Sequence, residues 1–189
     1  MAATLHPAAC LDGISVRQRA RRVFLPALAP FPPALWPLVV HLPVLDVNGA
    51  LVAALAAQAP FRAAPPIAAI FACDPFLRPR DMAASLRAAG ITEVVNLPSV
   101  QAHEGEAAAA LGAVGYRAER EFRVLLALAE HGLRPIAYAA RQEEAEAALA
   151  LGLRRLLLPA GPGWAKLASH VAVEGGEALA WEDAPFSRG

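Results

Sequence analysis

The sequence predicts an α/β fold in which short strands, buried on both faces, alternate with helices. The strand-like runs contain almost only aliphatic residues, alanine and phenylalanine, as in IAAIFAC at 67–73. Such continuous apolar runs are typical of parallel sheets, whose strands are covered on both faces. Helical segments of about ten to fifteen residues separate the runs, as expected of βαβ units. Six to eight such strands fit either a small (β/α) barrel or an open doubly wound sheet.

In chain order, we expect an N-terminal extension, 1–20, followed by a single barrel-like domain, 21–189. Strands are predicted at 22–29, 37–49, 66–74, 92–100, 133–140 and 153–161, and a hairpin or one or two last strands at 171–183. Helices are predicted at 50–59, 80–90, 104–132, 141–152 and 163–170.

Proline, aspartate and glycine mark the ends of these predicted helices. Pro60 should stop the first one, because proline cannot continue a helix. Asp81 is a candidate N-cap of the second helix, and Gly90 is its C-terminal stop. Gly112 and Gly115 should interrupt the long third helix.

Charge and composition argue against several classes of partner. Seventeen basic and seventeen acidic residues give zero formal net charge, so no long-range field would attract nucleic acid or an anionic membrane. The apolar tract 23–45 contains six prolines, which rule out a simple membrane-spanning helix. The chain start shows no basic segment followed by an apolar one, as a signal peptide would. Two cysteines are too few for a disulfide framework, so we expect a cytoplasmic protein.

Polar residues stand at the carboxyl ends of three successive predicted strands. These residues are Asp46 with Asn48, Asp74, and Asn96. Ligands bind at this edge in both barrels and open sheets. If the strands are neighbours, the four side chains converge, and their oxygens could hold a divalent cation such as Mg²⁺ or Mn²⁺. No GxGxxG motif follows any strand, so no nucleotide cofactor is expected.

A purely structural interpretation of the same residues stays open. Asp and Asn are common where strands end and helices begin. Asp46 or Asn48 could simply cap the helix that starts near Ala50, and Asp74 could start the turn that Pro75 fixes. Each residue alone favours this interpretation, whereas all four on one rim make the two interpretations about equal.

Five segments occur in this order: VLDVNGALVAALAAQAP, PIAAIFACDPF, GITEVVNLPSVQ, GYRAEREFRVLLALAEHGLRPIAYA and EAEAALALGLRRLLL. Their Asp-x-Asn, Asp-Pro-Phe, Asn-Leu-Pro-Ser-Val and Gly-Tyr steps resemble the phosphoenolpyruvate hydrolase-like family, also called TIM-barrel signal transduction proteins. The resemblance covers about residues 42–160 and implies a small or incomplete (β/α) TIM-type barrel with parallel strands.

The resemblance also implies a function and roles for individual residues. It implies a metal-assisted lyase or hydrolase that acts on a small oxo-acid or an enol-phosphate, in a homo-oligomer. Asp74 and Glu121 would be catalytic, and Asp74 and Asp46 would bind the metal. The residues expected to bind the substrate are Asp46, Asn48, Asn96, Ser99, Gly161 and Gly163. Glu121 is favoured over Glu119 by the resemblance, while a solvated helix face is the alternative for both.

Other polar residues give weaker signals. Gly161 and Gly163 lie between a strand and a helix, where free backbone N–H groups can hold an anion. His41 lies in an apolar run and is expected to be a core or edge residue. His103 follows a strand and could transfer a proton. Cys73 is expected to be a small buried residue, because no base is evident near it.

Several family features are missing, and this favours a second hypothesis. The family's glycine-rich first strand-loop and a late His- and Thr-bearing loop have no counterpart here, and 189 residues are few for a barrel of about 250. The chain could therefore be a degenerate, non-catalytic barrel that serves as a structural, regulatory or ligand-sensing subunit. An unclosed barrel would also expose strand edges that need a partner.

Overall fold

The computed structural model describes residues 2–43 and 45–183. In this part of the chain, parallel strands close into a barrel in sequence order, β1-β2-β3-β4-β5-β6-β7, with β7 paired to β1. The strands are β1 Thr4–Ala8, β2 Arg22–Phe24, β3 Ile67–Ile70, β4 Glu93–Asn96, β5 Arg134–Tyr138, β6 Arg155–Pro159 and β7 Glu177–Trp181. The prediction of a small parallel (β/α) barrel is confirmed, and the barrel closes within the chain.

Helices follow the strands as in repeated βα units. They are α1 Val16–Arg19, α2 Trp36–Val39, α3 Val47–Ala56, α4 Pro79–Ala88, α5 Gly105–Ala113, α6 Ala118–Glu130, α7 Gln142–Ala150 and α8 Trp164–Val173. Short 3₁₀ turns lie at Pro26–Leu28, Pro33–Leu35 and Val100–Ala102. None of the helices described is long and apolar enough to cross a membrane.

The apolar strand residues divide between two cores. Val94 of β4 packs in the cluster that contains helix residues such as Leu86 and Leu125. Val95, the next residue along β4, packs with Ile136 in the cluster that fills the barrel interior. Successive side chains of a strand point to opposite faces, so strands such as β3 and β6 contribute to both cores. This is why the strands are apolar without alternation.

The expectation that residues 1–20 lie outside the barrel is wrong. Strand β1 (Thr4–Ala8) pairs with β2 on one side and with β7 on the other, and it closes the barrel. Its sequence, TLHPA, contains polar residues and a proline, so it lacks the continuous apolar pattern of the other strands. Backbone pairing with two neighbours forms this strand without that pattern.

The predicted strand at 37–49 is also wrong. Trp36–Val39 forms α2, and α3 begins at Val47 with Asp46 as its N-cap. The segment is as apolar as a strand, but Pro37 and Pro43 lack the backbone N–H that strand pairing needs. Its first residues belong instead to the helical turn α2, and its last residues begin α3.

Of the predicted helix ends, Gly90 and Gly115 are confirmed, whereas Pro60 lies beyond the end of α3 and Gly112 lies inside α5. Arg78, not Asp81, is the N-cap of α4, and Asp81 lies in its first turn. An acidic residue there still interacts favourably with the helix dipole. Gly90 follows α4 with φ of +79°, and Gly115 separates α5 from α6 with φ of +82°, conformations that favour glycine.

Candidate functional site

The polar residues at the ends of β3 and β4 form two separate groups. Asp46, Asn48 and Asp74 lie around the end of β3 and the start of α3. Asn96 and Glu121 lie between the end of β4 and helix α6. The structure thus brings together three of the four residues expected to converge, and it places Asn96 elsewhere.

Asn48, which is buried in the first turn of α3, holds the chain that follows β3. Its Oδ1 accepts a hydrogen bond from the Phe71 backbone N–H at 3.0 Å. Its Nδ2 donates to the Phe71 carbonyl at 3.1 Å and to Oδ2 of Asp74 at 2.8 Å. One side chain therefore satisfies a buried backbone donor and a buried acceptor, and it also fixes Asp74.

Asp74 forms the turn that the sequence places before Pro75. Its Oδ1 accepts a hydrogen bond from the Phe76 N–H at 2.8 Å, an arrangement common for Asp in turns. Each carboxylate oxygen thus accepts one hydrogen bond from the described residues, from Phe76 and from Asn48. A carboxylate offers about four lone-pair sites, so the half-buried Asp74 can still accept a cation or a donor.

Asp46 is exposed and caps α3, as the structural interpretation predicts. Its Oδ1 accepts a hydrogen bond from the Gly49 N–H at 2.8 Å. A Cβ at position 49 would lie 2.0 Å from Asp46 Oδ2, so this cap needs a glycine at that position. Asn48 does not cap the helix but bridges it to the barrel.

An open cavity of about 320 Å³ connects these three residues with the start of α4. Arg78, Asp81 and Phe76 also line it. Three carboxylates and one guanidinium give the cavity a negative balance, which favours a cation. In residues 2–43 and 45–183, however, no three His, Cys, Asp or Glu side chains group closely enough to hold a metal ion.

Glu121 of α6 is fully buried and makes four hydrogen bonds. Its Oε2 accepts hydrogen bonds from three side chains, each at 2.8 Å, and its Oε1 accepts one from a backbone N–H at 3.0 Å. The donors are Asn96 Nδ2, Ser99 Oγ, Gln101 Nε2 and the Val100 N–H. Three of these donors belong to the loop after β4, so Glu121 fixes this loop.

Asn96 connects the same group to the next strand. Its Oδ1 accepts a hydrogen bond from the Tyr138 backbone N–H at 2.7 Å, at the end of β5. Val95 points into the barrel, so its neighbour Asn96 points outward, towards α6. Asn96 and Glu121 are therefore part of the packing between sheet and helix, and neither lines the cavity beside Asp74.

Burial raises the pKa of Glu121 to about 7. The hydrogen bonds from Gln101, Val100, Ser99 and Asn96 act in the opposite direction, because they stabilise the charged form. Burial also raises the pKa of Cys73 to about 12, and the Glu121 charge adds to this. Cys73 therefore stays a neutral thiol at neutral pH, and the prediction of a small buried residue is confirmed.

Gly161 and Gly163 line a different cavity, of about 380 Å³, at the ends of β5 and β6. Gly163 is the N-cap of α8, and the cavity also contains Arg141 and Lys166. It shares no lining residue with the cavity beside Asp74. The expected substrate-binding residues thus belong to two cavities and one buried cluster.

A further polar group lies at the carboxyl end of the barrel. His41 Nε2 is 3.4 Å from Asp183 Oδ1, and the His41 ring lies 5.3 Å from the Tyr138 ring. His103 Nε2 is 3.2 Å from the His41 carbonyl oxygen. The sequence identifies both histidines, but their contacts join distant segments and no spacing predicts them. Tyr138 and Asp183 carry no sequence signal of this contact, and Gln101 is recognisable only as the residue after the Pro-Ser-Val step.

Comparison with known proteins gives two matches. A family model described as phosphoenolpyruvate hydrolase-like matches residues 38–168. The uncharacterized protein y4oT of Sinorhizobium fredii (strain NBRC 101917 / NGR234) is 34% identical over 119 residues. That match covers 63% of this chain and 60% of the relative, so the chain spans less than two thirds of the relative's length.

Asn48→Ala should destabilise the protein more than loss of the nearby helix cap does. The change leaves the Phe71 N–H and C=O buried without partners, which lowers the free energy of unfolding by about 2–4 kcal/mol. Asp46→Ala, the matched control, removes one exposed cap and should lower it by about 1 kcal/mol. Urea denaturation of both variants gives the comparison. Equal losses would show that Asn48 is not the bridge described here.

The stability of the protein should depend on pH through Glu121. The pKa of Glu121 is higher in the folded state than its ordinary 4.5. Protonated Glu121 therefore makes its full favourable contribution to the free energy of unfolding below about pH 4.5. That contribution is lost as pH rises through about 7, by an amount on the order of 3 kcal/mol.

Glu121→Gln should therefore remove most of the decline in unfolding free energy between pH 5 and 8, measured by urea denaturation at each pH. Glu119→Gln, an exposed change on the same helix, should leave the decline as in the wild type. An unchanged slope in Glu121→Gln would contradict the assignment.

Proposed function

This chain belongs to the phosphoenolpyruvate hydrolase-like family, and from that premise we propose that it is a ligand-sensing barrel rather than a catalyst. Its ligand is a small oxo-acid or enol-phosphate bound with Mg²⁺ or Mn²⁺ in the cavity lined by Asp46, Asn48 and Asp74. No nucleotide cofactor, nucleic acid or membrane takes part in this proposal, and the protein acts in the cytoplasm.

The hydrogen bonding of Glu121 carries the non-catalytic proposal. This carboxyl is fully buried and accepts four hydrogen bonds, and it lies between β4 and α6. A general acid or base must come within hydrogen-bond reach of the substrate. Glu121 does not line the cavity beside Asp74, so the two residues expected to be catalytic do not share a site.

The composition of the cavity supports binding of a cation together with its ligand. Asp46 and Asp74 both line it, and each retains lone pairs beyond those used in its own hydrogen bonds. An anionic ligand alone would meet a negative surface. A divalent cation compensates for that charge, and Arg78 at the cavity wall offers a guanidinium to the ligand carboxylate or phosphate.

Self-association is part of the same proposal. The barrel is closed, so unpaired strand edges no longer support it. Exposed apolar side chains support self-association instead, because Leu38 is 70% exposed and Phe76 is 89% exposed. Phe76 also lines the cavity beside Asp74, and a second subunit covering Phe76 would bring subunit contact and ligand binding together.

A second candidate function is metal-assisted lyase or hydrolase activity in the same cavity. The observation in its favour is that the half-buried Asp74 side chain lines an open cavity and is held by Asn48. A cation on Asp74 and Asp46 would polarise the ligand's carbonyl or phosphate. The proton would then come from water, because Glu121 is not within reach.

Ligand binding should be visible as thermal stabilisation that depends on a divalent cation. Pyruvate, oxaloacetate and phosphoenolpyruvate are each tested with and without Mg²⁺ or Mn²⁺. A ligand at about 100 times its dissociation constant should stabilise the fold by about 3 kcal/mol. Asp74→Asn should remove this effect and remain folded, and Asp12→Asn, a remote exposed change, should retain it.

Product analysis by NMR of the same mixtures distinguishes the two functions. Stabilisation without turnover supports the sensing function, whereas turnover that Asp74→Asn abolishes supports the enzyme. No stabilisation by any ligand, with or without a cation, would contradict both functions.

A further inference from the structure

A long segment, residues 26–43, which we call the lid, lies between β2 and α3. Loops that join a strand to the following helix usually have about two to six residues, and longer ones are often functional. The lid contains six prolines and consists of two 3₁₀ turns and α2. Proline reduces the number of conformations open to a free chain, so a segment of this composition gains little backbone entropy when it detaches.

The inner face of the lid packs on the carboxyl end of the barrel. Leu28 and Val40 are buried, and Trp36 and Val39 pack partly buried against the same cluster. That cluster contains residues at the carboxyl ends of the strands, namely Phe71, Leu97, Tyr138 and Trp181. The lid therefore covers the end at which barrels of this type bind ligands.

Most of the polar bonds of the lid stay inside it. The Trp36 indole N–H donates to the Phe31 carbonyl at 3.1 Å. The Leu35, Val40 and Leu42 N–H groups also donate to lid carbonyls. These bonds do not hold the lid to the barrel, and the short turns that contain them would open more readily once the lid lifts, because isolated helical turns are unstable in water.

His41 makes the polar contacts between the lid and the rest of the barrel end. It is the only lid residue with an ionisable side chain. Among the described residues, its imidazole meets Asp183 after β7 at 3.4 Å, and its carbonyl meets His103 after β4 at 3.2 Å. The lid makes a further hydrogen bond to the rest of the chain where it begins, from the Leu28 N–H to the Leu25 carbonyl.

We propose that residues 26–43 form a lid that opens and closes over the barrel mouth, with His41 as its latch to Asp183 and His103. The latch is suited to a reversible closure, because a polar contact of 3.4 Å between partly exposed side chains is weak. Opening exposes Tyr138 and Phe71 at the mouth. The lid residues do not line the cavity beside Asp74, so this proposal does not depend on ligand binding in that cavity.

Hydrogen–deuterium exchange of the full chain tests the lid, with the amides of Trp36, Val40 and Leu42 as reporters. His41→Leu and Asp183→Asn should each speed exchange at these amides by about two- to fivefold, the range expected for loss of one weak polar contact. The double variant should exchange no faster than His41→Leu. His103→Ala, which removes the contact to the backbone carbonyl, should act in the same direction.

The control is His170→Leu, because His170 forms a similar pair with Glu146 at 3.2 Å, away from the mouth. It should leave lid exchange unchanged. Exchange in β3 to β6 should stay as in the wild type in every variant. Unchanged lid exchange in His41→Leu and Asp183→Asn would overturn the latch. An equal rise in lid and strands would also overturn the proposal, because the lid would then open only when the barrel unfolds.

Discussion

The buried carboxylate of Glu121 is the interaction on which the upper part of this barrel depends. A buried charge without a cationic partner is unfavourable unless hydrogen bonds compensate for it. Glu121 obtains four, and the groups that supply them come from the end of β4 and the loop that follows. Asn96 extends the connection to β5 through the Tyr138 N–H. The need to satisfy one carboxylate thus fixes α6, β4 and β5 relative to one another.

Asn48 joins α3 to the end of β3, as Glu121 joins α6 to the end of β4. Both side chains reach from a helix to the chain just after a strand, where backbone groups have left the sheet but are still buried. Polar residues at the strand ends therefore have a structural use before any chemical one. Asp74 differs, because part of its carboxylate faces an open cavity. It is the residue through which a ligand could act on this framework.

Most of the barrel could be predicted from the sequence because its signals are local. The apolar runs of β3 and β4 and the glycines after α4 and α5 place their elements correctly. Strand β1 could not be predicted, because its pairing partners β2 and β7 create it. The apolar segment before Asp46 has the composition of a strand, yet Val40 is its one buried residue among those described, and Leu38, Leu42 and Leu45 are exposed. Composition alone therefore does not distinguish this segment from a strand.

The sequence predicts which residues belong to the site, but it does not predict which of them contact one another. The sequence identifies Asp46, Asp74, Asn96 and Glu121 as unusual, yet it cannot say which of them meet. Strand alternation sends Asn96 outward, and a helix register places Glu121 against it. Those facts depend on how β4 and α6 pack, and they separate a buried cluster from the open cavity.

In the proposed function, Glu121 stabilises the structure and does not contact the ligand. NMR titration of the Glu121 side-chain carboxyl carbon, with and without phosphoenolpyruvate and Mg²⁺, tests it most directly. We expect the pKa of Glu121 to be about 7 both with and without the ligand. A pKa near the ordinary carboxyl value, or one that changes when the ligand binds, would contradict it.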